Sequence, residues 1–275
     1  MLALLYLGPW VITAGLLAAF GVFDDDDDTA DSDPEEDTIV GTDGDDELTG
    51  SEVNDEVIAK SGNDEIWTFA GDDTVYAEEG NDTIIGGEGD DSLRGGDGAD
   101  FIYDVEGADT IVAGAGEDTV YSAAMADGFT EEETDSYLAD DSATFDALIG
   151  AHFTGADFAR DPDSNDGDVI KLGRGDDAVV AGANDTVTGG AGADAFGIFM
   201  PDDAVEDGYV TVTDYDKDED ILVVWGDASD VTLAEGDDGG TEVRVDGALV
   251  AFLEGVDFTT LSASDIVFAG FDARP

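Results

Sequence analysis

Every ninth residue from Leu48 to Val120 is aliphatic: Leu48, Val57, Ile66, Val75, Ile84, Leu93, Ile102, Ile111 and Val120. Each sits in the middle of a short run that reads as a strand, with the middle side chain turned inward and its neighbours outward. Two residues ahead of each stands an aspartate: Asp46, Asp55, Asp64, Asp73, Asp82, Asp91, Asp100, Asp109 and Asp118. Two residues ahead of that comes glycine in eight of nine cases: Gly44, Gly62, Gly71, Gly80, Gly89, Gly98, Gly107 and Gly116, with Val53 the exception. Nine nonapeptide frames therefore run without a gap from Gly41 to Tyr121. Asp is abundant, but unbroken agreement at two positions is not an effect of composition. The pattern is that of a solenoid. One aliphatic residue per strand makes a thin core, and glycine is costly to order, so some further interaction must compensate.

The period lapses over 122–162, where Tyr137, Leu138, Phe145, Leu148, Ile149 and Phe153 predict an amphipathic helix over 134–153. It resumes in 163–197 as DGDVIK, LGRGDDAVV, AGANDTVT (one residue short) and GGAGADAFG. These place Asp168, Asp177, Asp185 and Asp194 in the acidic slot, with Ile170, Val179, Val187 and Phe196 in the apolar one. A second short roll and a continuation of the first both fit. From 198 to 275 the pattern changes to alternating runs at 209–215, 220–226, 241–254 and 264–270, with Asp246-Gly247 as a hairpin turn. This predicts an antiparallel β cap, which an open solenoid end requires.

Residues 1–23 carry no charged side chain, long enough an apolar run to span a bilayer, and show neither a basic leader nor an A-x-A-like site. A membrane anchor through residues 2–23, a cleaved signal segment and a buried helix are the three readings. DDDDDTADSDPEED (24–37) follows as a like-charged, disordered linker.

The chain of 275 residues has no Cys, a single His (His152), and 71 Asp+Glu against 8 Lys+Arg, a formal charge of −63. Disulfides, thiolate zinc sites and His-rich zinc hydrolases are thereby excluded, and no HExxH occurs. Nucleic acid is disfavoured as a partner, and compaction is opposed unless cations neutralise the charge. A salt-adapted surface and a multi-site cation binder both fit this balance. No carboxylate pair stands out as catalytic, and the chain reads as a non-enzyme.

The frames GGEGDDSLR (86–94) and GGDGADFIY (95–103), and more loosely AKSGNDEIW (59–67) and TFAGDDTVY (68–76), resemble the GGxGxDxUx nonapeptides of RTX (repeats-in-toxin) proteins. That resemblance covers 38–121 and 163–197 well and the C-terminus faintly. It implies an all-β fold, the parallel β-roll of serralysin-type C-terminal domains, loaded with several Ca²⁺ ions. The serralysin likeness stops at the roll, since the protease's zinc helix has no counterpart. The implied ligands are the thirteen slot aspartates named above. Backbone carbonyls around Gly44, Gly62, Gly71, Gly80, Gly86, Gly89, Gly95, Gly98, Gly107, Gly116, Gly175, Gly189 and Gly192 complete them. Alternate repeats fall on opposite sides. One row then holds Asp46, Asp64, Asp82, Asp100 and Asp118 and the other Asp55, Asp73, Asp91 and Asp109, giving at most about seven sites in the first block.

In the family, chains stay unfolded in calcium-poor cytoplasm and fold on external calcium, which implies an extracellular or cell-surface location. Position nine of alternate repeats is bulky and outward: Trp67, Ile85, Tyr103 and Tyr121 predict an apolar strip, covered by the insert or the cap, or else open to a protein or glycan. The expected role is a surface-anchored or exported structural or adhesive module. The alternative is a non-catalytic subunit or fragment of a secreted hydrolase or toxin system.

Overall fold

A computed structural model describes residues 37–104, 106–122, 167–199, 208–225, 231–236 and 239–269. The apolar segment 1–23, most of the acidic linker, and the helix expected over 134–153 lie outside the described residues. Among those described, no helix is long and apolar enough to cross a membrane.

Among the described residues, twenty strands, numbered in chain order, form two sheets. The first contains β1 (Asp37–Val40), β3 (Asp55–Ser61), β5 (Thr74–Glu79), β7 (Ser92–Asp97), β9 (Thr110–Ala115), β11 (Val169–Arg174), β13 (Thr186–Ala191) and β15 (Val210–Val212). It continues through β19 (Ala248–Leu253), β18 (Thr241–Val245) and β17 (Val231–Glu235). The second runs β2 (Glu47–Ser51), β4 (Glu65–Ala70), β6 (Thr83–Glu88), β8 (Phe101–Tyr103), β10 (Thr119–Tyr121), β12 (Ala178–Ala181), β14 (Ala195–Phe199), β16 (Ile221–Trp225) and β20 (Ile266–Ala269).

Odd and even repeats thus go to opposite sheets, and two nonapeptides make one coil. Pairing is parallel, with Glu47 opposite Glu65 and Thr74 opposite Ser92. Across the aperiodic insert the same register is kept, with Thr110 opposite Val169 and Thr119 opposite Ala178. The coils before and after it are therefore adjacent rungs of one roll. A loop can leave a solenoid between rungs without disturbing the ladder, because only its two ends must meet.

The core differs from the single aliphatic row that the period suggests. From the second repeat on, position eight is buried, and so is position one of the next, two residues along the same strand; Leu48 and Gly50 at the open end are half-buried. Ala59, Ala77, Ala113, Leu172 and Ala181 share one cluster with Val57, Ile84, Ile111 and Ile170. The side chains at position one are mostly too small to register as hydrophobic signal, yet period-two geometry brings them to the same face.

Position-four glycines answer to the coil beneath. Gly98 has φ +146°, and a Cβ added to it would stand 1.7 Å from the carbonyl oxygen of Gly80. Gly44 opens its column: its φ is not positive, and a Cβ there would meet nothing within 4 Å. Val53 likewise has no positive φ and no described coil beneath it, which explains why this frame tolerates a side chain.

At the C-terminal end, antiparallel pairing is confined to β17, β18 and β19. Strands β15, β16 and β20 extend the two parallel sheets, with Phe196 opposite Leu222 and Val223 opposite Val267. The alternating runs of 209–225 and 264–269 are thus further rungs, and the meander at 231–253 is what terminates one sheet.

Candidate metal centres between the coils

The slot aspartates stack in two columns, each linked by one repeated bond. The backbone N–H of Asp46 donates to Asp64 Oδ1 (2.8 Å), Asp64 to Asp82 (2.9 Å), Asp82 to Asp100 (2.9 Å) and Asp100 to Asp118 (2.9 Å). The column crosses the insert from Asp118 to Asp177 (2.9 Å) and ends at Asp194 and Asp220. On the other side Asp55, Asp73, Asp91, Asp109, Asp168 and Asp185 are linked in the same way.

Oδ1 is therefore committed to the coil below. In Asp64, Asp82, Asp91, Asp100, Asp118 and Asp177 the second oxygen, Oδ2, is buried and accepts no hydrogen bond. A buried, unpaired carboxylate oxygen is among the costliest groups a fold can hold. Repeated at one level through successive coils, it is an array of hard oxygen donors, the chemistry that Ca²⁺ takes. The residues present fit that ion.

Three slot residues depart from this arrangement. Asp55 reverses its oxygens: Oδ2 accepts from the Ser51 backbone (2.7 Å) and hydroxyl (3.1 Å), and Oδ1 is the one buried without a hydrogen bond. Asp46 Oδ2 accepts from the Thr42 backbone (2.5 Å) and hydroxyl (2.9 Å), and its Oδ1 also meets that hydroxyl (3.2 Å). Asp185 Oδ2 accepts from Gly182 N–H (2.6 Å) and Ser122 Oγ (2.9 Å), while its Oδ1 takes Asp168 N–H. Asp46 and Asp185 spend their oxygens on protein donors. The Gly182 bond comes from position two of its frame, as the Thr42 and Ser51 bonds do to Asp46 and Asp55.

Burial away from water pushes these acids up from their ordinary value, against the opposing pull of the donated N–H. Asp73, Asp82, Asp177 and Asp194 rise to about 6, Asp100 to about 7, and Asp91 and Asp168 to about 8. An acid whose folded pKa is raised binds its proton more tightly in the folded state. The stability this contributes is complete below the unfolded value of 3.8 and is lost as pH rises through 6 to 8. Metal-stripped protein is therefore expected to gain β-structure by circular dichroism on going from about pH 8 to about pH 5. Calcium-loaded protein should weaken over the same interval, as protons compete for the carboxylates. Metal-free chain that loses β-signal on acidification would contradict this.

Several groups were not legible from the period. Position-five side chains form a second, exposed ladder running the opposite way: Asn63 N–H donates to Asp45 Oδ1, Asn81 to Asn63, and Ala99 to Asn81. The preference for Asp and Asn at that position is its sequence signal. Asp220 and Asp214 lie beyond the recognisable repeats, the latter capping Gly189 and Gly190 N–H groups. Asp104 sits at position one of its frame and is fully buried.

The aromatic strip is not an open platform. Trp67, Ile85 and Tyr103 are 8%, 2% and 1% exposed, and Tyr121 is half-buried. The Trp67 ring stacks on Phe69 at 4.8 Å and Tyr121 lies 5.5 Å from Phe101. An outward position in the alternation is not the same as a solvated one.

Compared with known proteins, residues 24–57, 31–66, 49–84, 76–103, 95–124 and 164–196 match the family model of the RTX calcium-binding nonapeptide repeat. No curated protein matches the chain. Among solved structures, the extracellular lipase LipA from Serratia marcescens aligns at 12% identity and TM-score 0.26 over 87% of this chain and 41% of that one. The chain thus spans less than half of the lipase's length. The AlgE6R3 subunit of the Azotobacter vinelandii mannuronan C5-epimerase aligns at 20% identity and TM-score 0.19, covering 86% of this chain and 87% of that one. Repeat, register and buried aspartate columns agree with the family match: residues 24–124 and 164–196 carry RTX calcium-binding nonapeptide repeats, and the described strands wind into a parallel β-roll.

Proposed function

We propose that this protein is a non-catalytic, exported or surface-held structural module whose fold is completed by Ca²⁺ bound between successive coils. The observation that carries the reading is the repeated, buried Oδ2 of Asp64, Asp82, Asp91, Asp100, Asp118 and Asp177, left without a hydrogen bond while Oδ1 is tied to the coil below. Bound Ca²⁺ would supply positive charge to offset these carboxylates. The residues that would hold it are Asp64, Asp82, Asp100, Asp118 and Asp177 on one side and Asp73, Asp91, Asp109 and Asp168 on the other. Carbonyls of the neighbouring glycine turns would complete each oxygen shell. Asp55 and Asp194 stand toward the column ends with fewer described coils around them.

Location follows from supply. Modules of this kind bind calcium with Kd on the order of 10⁻⁴–10⁻³ M, a range met outside the cytoplasm. The uncharged residues 1–23 are consistent with export or anchoring. Outside, folding by mass action would give a highly acidic β-roll suited to spacing or adhesion.

Calorimetric titration of the whole chain tests the reading. Several Ca²⁺ per chain are expected, with comparable concentrations of Mg²⁺ giving little heat because small, octahedral Mg²⁺ fits a flexible carbonyl-rich shell poorly. Uptake of no more than one ion would overturn it.

A further inference from the structure

Within the second sheet, position one forms a column through the interior: Gly50, Thr68, Gly86, Asp104, Ser122 and Ala181. The matching column of the first sheet is apolar or glycine from Gly41 to Gly189, and the Asp214 that follows it is exposed. An aspartate in this interior row is foreign to the repeat. Asp104 has no exposure to solvent, and its Oδ1 accepts a long bond from Gly87 N–H at 3.3 Å. Its Oδ2 is buried and accepts no hydrogen bond.

That oxygen is aimed at two slot aspartates. One carboxylate oxygen from each of Asp91, Asp104 and Asp109 lies within 4.8 Å of the others, and all three residues are buried. A Cβ added to Gly86 would stand 2.6 Å from both Asp104 Oδ2 and Asp91 Oδ2, so the two oxygens converge above that glycine. The charged groups acting most strongly on Asp104 are Asp109, Asp91 and Asp168, all acids. Oxygens at about 2.3–2.6 Å from a common cation are separated by up to about 5 Å, which matches the spread here.

We propose that Asp104, Asp91 and Asp109 together hold one hard divalent cation, Ca²⁺ foremost, in a three-carboxylate site that binds more tightly than the ordinary inter-coil sites. The inference rests on the calcium-binding reading above and adds to it a named residue outside the repeat. Affinity in oxygen-donor sites rises with the number of charged ligands, and this site has one more than the repeat supplies. It would fill first as calcium is raised, in the middle of the roll.

The test is a competition titration of the full-length chain against a chromophoric calcium chelator, for wild type, Asp104→Gly and Asp104→Asn. Glycine is the residue that frames 86–94 and 95–103 place at this position, and asparagine keeps the size while removing the charge. The wild type is expected to show one ion held more tightly than the rest. Both substitutions should weaken that ion about tenfold or more and leave the others unchanged, with circular dichroism at saturating calcium confirming the fold. Should Asp104→Gly fail to fold, Asp104→Asn decides. Titrations that superimpose on wild type overturn this inference alone, while a wild type that takes up no calcium overturns the functional reading with it.

Discussion

Stripped of calcium at neutral pH, the roll is expected to lose its β-structure, and to regain it when Ca²⁺ is restored to about the millimolar range. The reason is a balance that the chain cannot close by itself. Its core is a narrow strip of Val, Ile, Leu and Ala, such as Val57, Ala59, Ile84 and Ile111, with little apolar area per coil. Against this stand 71 acidic residues to 8 basic ones, and aspartates buried with one oxygen unpaired. Each such oxygen costs on the order of 1–3 kcal/mol, and more when charged. Several together exceed the roughly 5–15 kcal/mol by which a domain of this size is ordinarily stable. Circular dichroism of metal-stripped protein, followed through a calcium titration, measures the effect. A full β-signal persisting in excess chelator would show that the columns are satisfied by something other than a cation.

Replacing Gly98 by alanine is expected to be nearly as damaging even with calcium present. The added Cβ would lie 1.7 Å from the Gly80 carbonyl oxygen and 2.5 Å from its carbon, and both belong to backbone held in register by the parallel ladder. The residue also sits at φ +146°, where an L side chain is strained. Overpacking of about 1–3 kcal/mol and backbone strain of about 1–2 kcal/mol together predict a loss of about 2–5 kcal/mol. The carbonyl that must move is one of those proposed to ligate calcium, so calcium affinity should fall with stability. Gly44→Ala is the matched control: the same slot, but no positive φ and open space above it, with an expected change within about 0.5 kcal/mol. Urea unfolding of the two variants at saturating calcium separates them. Equal midpoints would mean that position-four glycine is a family habit and not a packing requirement.

The nine-residue spacing of Asp and aliphatic residues was enough to read the solenoid, the alternation of repeats between two sides, and the two aspartate columns. Those features are local and periodic, and each coil repeats the same physical problem, so a pattern in one dimension maps onto a stack in three. The short frame at 181–188 was equally visible, although the partners of its aspartate were not. Only the folded coil shows that Gly182 N–H and Ser122 Oγ both reach Asp185 Oδ2 and occupy that carboxylate. The antiparallel expectation for the C-terminal segment was too broad for a related reason. Alternation in 209–225 reports a half-buried strand but not the direction of its neighbour, and β15, β16 and β20 find parallel partners already waiting at the end of the roll.

What the chain's own order of residues determined is the repeat, the fold class and the kind of ion it suits, because glycine, aspartate and aliphatic positions recur in step with the coil. What only the tertiary structure decided is which of those positions stand apart. Val53 is tolerated at the open end of a column, Asp46 and Asp185 are spent on protein donors, and Trp67 and Tyr103 are buried despite their outward register. Asp104 is drawn into the interior beside Asp91 and Asp109. Val53 and Asp104 depend on what lies one coil away, eighteen residues distant along the chain in the regular repeats, while Asp46 and Asp185 take backbone donors only three or four residues off once the turn has folded.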